Sequence, residues 1–79
     1  MEALITSLLL FASGTTGYPV PSIEPDVRFV QLEERYDALY IGGVILLNSD
    51  VDPFSLIGEV TLVHELTHFL QDYNSNLSL

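Results

Sequence analysis

Hydrophobic and polar positions change rhythm several times along this chain. Ala3 to Ala12, ALITSLLLFA, is an apolar run of ten residues, followed by Ser13-Gly14-Thr15-Thr16-Gly17. A helix that crosses a bilayer needs about 20 residues, so this run is too short to span one. Its length suits the apolar region of a secretory signal, with Ala12-Ser13-Gly14 as small residues near a cleavage point. The preceding Met1-Glu2, however, carries an acid where a cation is expected. Residues 1–17 are therefore expected to be either an N-terminal helix packed on a small core or a signal-like segment, with residues 18–79 forming the domain proper. A signal would make the protein secreted or envelope-associated, and a core helix would leave it cytoplasmic. Membrane association is left open.

Pro19, Pro21 and Pro25 make Gly17 to Asp26 an extended linker, because proline fixes φ and removes a donor. Val27 to Leu32 is rich in β-branched and aromatic residues and reads as a strand, and Glu33 to Asp37 reads as a polar turn or short helix. Two apolar runs, Ala38 to Ile41 and Val44 to Leu47, flank Gly42-Gly43, which supplies the positive φ angles of a tight hairpin turn. Asp52-Pro53 then looks like a helix start, with Asp as N-cap and Pro at the first helical position. The helix is expected from Pro53 to about Tyr73, weakened by Gly58 and closed by Asn74-Ser75-Asn76. The pattern as a whole predicts an α+β domain: an N-terminal helix, a small antiparallel sheet built on the hairpin, and a long C-terminal helix.

Composition narrows this picture. In 79 residues there are Asp+Glu 11 against Lys+Arg 2, a formal net charge of -9, and no cysteine. A chain this short buries only about 60% of its unfolded surface and usually needs a disulfide, a metal or a partner. Without cysteine the remaining staples are a metal held by His and carboxylates, or a partner chain. Arg28 and Arg35 cannot form the basic stripe that phosphate binding needs, which excludes nucleic acid. An acidic tail is excluded as well, since the hydrophobic fraction is 48%.

The C-terminal helix carries the candidate chemistry, His64-Glu65-Leu66-Thr67-His68. At 3.6 residues per turn, His64 and His68 leave one face a single turn apart, so both imidazoles can reach one Zn²⁺. Glu65 lies about 100° round the helix, beside the metal, where it can take a proton from an activated water and pass it to a leaving amine. Thr61-Leu62-Val63 before the motif, Leu66-Thr67 within it and Phe69-Leu70 after it are all uncharged, as a buried helix requires. On a helical wheel Leu62, Val63, Leu66, Phe69, Leu70 and Tyr73 form the core arc. Ile57, Thr61, His64, Glu65, His68 and Asp72 fall opposite.

These residues resemble the zincin metallopeptidases, in particular small bacterial and phage zincin-like domains in which a hairpin leads through an Asp-Pro turn into a His-Glu-Leu-x-His-x-x-Gln helix. The resemblance runs from Pro25 to about Tyr73, and its specific part is Thr61 to Gln71. It implies that His64 and His68 are zinc ligands, that Glu65 is the catalytic base, and that a peptide or protein is the substrate. It also implies that Val44 to Leu47 is the strand over the cleft, whose free edge a substrate backbone pairs with.

The chain departs from the family at the third ligand. Gln71 and Asn74 stand where one zincin branch has Gly and a ligand, and the eleven residues after His68 leave no room for the later helix of another. Asp72 is about 9 Å along the axis from the midpoint of the two histidines, too far for its short side chain. It is read as a carboxylate that supports His68, or as a solvated one. The third ligand is accordingly expected to be missing, donated by a homo-oligomer or partner chain, or replaced by water. Two alternatives stand beside the peptidase: a non-catalytic, metal-stabilised or oligomeric interaction module, and a small envelope-associated protein that acts through its N-terminal run.

Overall fold

A computed structural model describes residues 1–77; Ser78 and Leu79, the end of the expected 18–79 domain, lie outside the described residues. Helix α1 spans Glu2–Thr16, strands β1, β2 and β3 span Asp26–Val30, Ala38–Ile41 and Val44–Asn48, and helix α2 spans Leu56–Leu77. The layout is α+β, with one helix at each end and a three-stranded sheet between them.

Helix α1 ends at Gly17, whose φ of 79° forms a left-handed cap that returns its N–H to the Ser13 carbonyl. Leu9 and Ala12 on this helix are buried, and they join Ile45 and Leu47 of β3 and Leu62, Leu66, Phe69 and Leu70 of α2 in one core. Residues 2–16 thus pack as part of the same apolar interior. Among the described residues no helix is long and apolar enough to cross a membrane.

Gly42 and Gly43 have φ of +54° and +87°, the positive pair that a two-residue type I′ turn demands and that L side chains resist. The hairpin they close pairs β2 with β3 antiparallel, with Leu39 opposite Leu46 and Tyr40 opposite Ile45. The hairpin is the expected antiparallel sheet, and β1 extends it by joining β3 in parallel, Asp26 opposite Val44 through Val30 opposite Asn48. The strand order is β1-β3-β2. The loop after β1 carries the chain past the neighbouring slot, and the second arm of the hairpin fills it.

Asn48, buried at the end of β3, holds that loop in place. Its Nδ2 donates to the Tyr36 carbonyl at 2.8 Å and lies 3.4 and 3.5 Å from the Leu32 and Glu33 carbonyls. Its own N–H donates to the Asp37 carbonyl at 2.8 Å. A buried amide with this many backbone partners ties the loop between β1 and β2 to the end of β3.

Helix α2 begins three residues later than the Asp52-Pro53 signal suggests. Asp52 Oδ1 accepts from the Phe54 N–H at 3.0 Å, and the Ser55 N–H donates to the Asp52 carbonyl at 3.1 Å, which makes a turn of these residues. Ser55 is the cap: its Oγ accepts from the Gly58 N–H at 3.0 Å. Gly58 then lies against the turn, where a Cβ would overlap the Asp52 carbonyl oxygen and stand 2.9 Å from the Pro53 Cα. The glycine that looks like a weak point in the helix is what lets the helix and the turn touch. At its other end α2 continues through Asn74-Ser75-Asn76 rather than closing there.

Candidate metal centre

His64 and His68 are exposed on one face of α2, with ring centroids 4.7 Å apart and nearly perpendicular planes. Their Nε2 atoms approach to 3.2 Å. Two neutral imidazoles meet this way only if one nitrogen donates its proton to the other, and a cation satisfies both lone pairs instead. An ion about 2.05 Å from each nitrogen would see them at an angle of about 100°, close to the tetrahedral value that zinc prefers. The donor pair therefore fits Zn²⁺.

Glu65 is 7% exposed, although it falls opposite the core arc of the helix. The reason is β2, which packs across this side of α2. Ala38 flanks Glu65 and His64 in one cleft, while Leu39 and Tyr40 flank Glu65 and His68 in another of about 250 Å³. Glu65 borders both clefts, one beside each histidine. Among the described residues no buried side-chain oxygen lacks a hydrogen-bond partner, so the Glu65 carboxylate reaches the water of the clefts it borders.

Tyr40 is the neighbour that sequence patterning missed. It reads as one more apolar position of a strand, yet its hydroxyl donates to Asp72 Oδ2 at 2.7 Å and its ring lies nearly parallel to that of His68, centroids 6.5 Å apart. Burial, then the hydrogen bond to Asp72 and that residue's charge, push the phenol up to about 12, partly offset by the Gly43 backbone. The hydroxyl thus stays protonated at neutral pH. Asp72 is joined to Tyr40, whose ring lies between it and His68 in the chain of contacts.

The strand above the cleft also differs from the one the resemblance implies. Val44 to Leu47 belongs to β3, which is paired on both sides, whereas β2 has an unpaired edge and lines the histidine clefts. Among the described residues no group of three His, Cys, Asp or Glu is placed to hold a metal ion. Among the described residues, the two imidazoles are the donors that meet.

Compared with protein-family models, with curated proteins and with solved structures, the chain matches none of them. The functional reading rests on the motif and its geometry.

Proposed function

We propose that this chain is a zinc-dependent metallopeptidase domain in which His64 and His68 hold the ion and Glu65 acts as general base and acid. The observation that supports it most strongly is the 3.2 Å separation of the two Nε2 atoms, with Glu65 one residue away bordering the cleft beside each histidine. Bound zinc supplies Lewis acidity, lowering the pKa of water from about 15.7 to about 7.

The chain's own residues do the rest. The Glu65 carboxylate accepts the proton of the attacking water, and once protonated it is the donor for the departing amine. The free edge of β2 offers backbone N–H and C=O groups to an extended peptide, which aligns a scissile bond along the clefts. Tyr40, tied to Asp72, keeps its ring beside His68 and limits where that imidazole can turn.

The test is hydrolysis of a mixed peptide library by the zinc-loaded chain, read by mass spectrometry beside Glu65→Gln. Cleavage that requires both zinc and Glu65 supports the reading. Zinc uptake without cleavage of any peptide removes the peptidase.

A second reading, a metal-stabilised module without catalysis, is favoured by the absence of a third ligand among the described residues. Its mark is unfolding by chelator in a protein that cleaves nothing.

A further inference from the structure

The outer faces of α1 and α2 meet in an apolar groove of about 290 Å³, lined by Leu8 and Phe11 from the first helix and Leu56, Val60 and Val63 from the second. Phe11, Leu56 and Val60 are 59%, 78% and 62% exposed, and Ile57, beside Leu56 and one turn before Val60, is 70% exposed. At about 200 Å² for a fully exposed side chain of this size, these four leave roughly 540 Å² of apolar surface in water. A standard homodimer interface takes about 800 Å² per partner, of which about 65% is apolar. The patch supplies the apolar area that such an interface needs.

Charge points to the same occupant. The groove carries a single carboxylate, Glu59, on a chain whose net charge is -9. A cationic partner would be drawn to the acidic surface elsewhere, and two copies of this chain can approach only through a face from which charge is nearly absent. A groove beside the Leu56-Ile57 ridge also provides, on one patch, the two complementary features that a two-fold contact uses.

Val60 links this face to the metal centre, because it lines the apolar groove and also the cleft that contains His64 and Glu65. We propose that a second copy of the chain docks on the Phe11-Leu56-Ile57-Val60 face, and that this brings protein against the His64 cleft where the single chain leaves the metal short of a ligand. The interface stands on its own observations. Completion of the site rests on the zinc reading above.

Sedimentation of the full chain with and without zinc, at concentrations up to about 100 µM, tests it beside the double variant Leu56→Glu, Ile57→Glu. Both positions lie in the first turn of α2, where acids favour the helix dipole, so the variant is expected to keep the wild-type circular dichroism. The expected results are a wild type of twice 8.8 kDa, a variant of 8.8 kDa, and zinc binding weaker in the variant by more than about tenfold. A wild type that stays a single chain in both conditions overturns the proposal, whether or not it then binds neutral phosphatidylcholine vesicles, and so does a variant that still dimerises. A monomeric variant that binds zinc as tightly as wild type overturns completion of the site by the second copy. A dimer that takes up no zinc supports the interface and overturns the metal reading alone.

Discussion

Tyr40 on β2 donates its hydroxyl to Asp72 on α2 across 2.7 Å, a bond that spans 32 positions of sequence and closes the sheet onto the helix beside His68. The phenol's value in the fold, about 12, lies above its ordinary 10.0. A group raised in this way lends stability that is fully present below pH 10 and is lost as the pH climbs toward 12. Denaturant melts across that window are expected to show stability falling for the wild type, with a shallower fall in Tyr40→Phe. Equal slopes in the two proteins would mean that the phenol is not held as described. Asp72→Asn, which removes the charge and leaves the burial, is expected to bring the phenol only part of the way back down in an ultraviolet titration.

Glu65 separates stability from chemistry. Glu65→Gln keeps the shape of a side chain that is 7% exposed, so Tm in the absence of metal is expected to stay close to the wild-type value. The same variant should retain zinc and lose hydrolysis by about 10²–10⁴-fold, the range of general acid–base contributions. A variant that loses activity and Tm together would indicate a structural glutamate.

Gly58→Ala separates propensity from packing. Propensity alone favours alanine in a helix by about 1 kcal/mol. The overlap with the Asp52 carbonyl reverses the sign, and a loss of about 1–3 kcal/mol is expected in urea unfolding. An unchanged or raised midpoint would show that the turn before α2 yields easily.

Asn48→Ala leaves the Tyr36 carbonyl without its donor inside the loop that joins β1 to β2. The expected cost is about 1–3 kcal/mol, and a domain of this size loses roughly 4–8 °C of Tm for each kcal/mol. Thermal melts of the two proteins measure it directly.

Much of this architecture was legible from local chemistry. Gly42-Gly43 between two apolar runs announced the hairpin, and the uncharged stretch around His64 and His68 announced a helix with two histidines on one face. What stayed hidden depended on contacts between distant segments. The parallel pairing of β1 follows from the path of a loop pinned by Asn48, which no hydrophobic pattern encodes. Asp52 and Ser55 are both good caps, and only the packing of Gly58 on the turn selects the later one. Glu65 sits opposite the core on a wheel drawn for α2 alone, and it is buried because β2 crosses that side. Tyr40 has the same origin: its strand position is ordinary, and its role appears once Asp72 and His68 lie beneath it.

The central claim is that His64 and His68 together form a metal site, and calorimetric titration of metal-free protein with Zn²⁺ tests it most directly. One zinc per His64-His68 pair is expected in the wild type, with binding lost in His64→Ala and in His68→Ala and retained in Glu65→Gln. Uptake that persists unchanged in both histidine variants, or no uptake by the wild type, would contradict it.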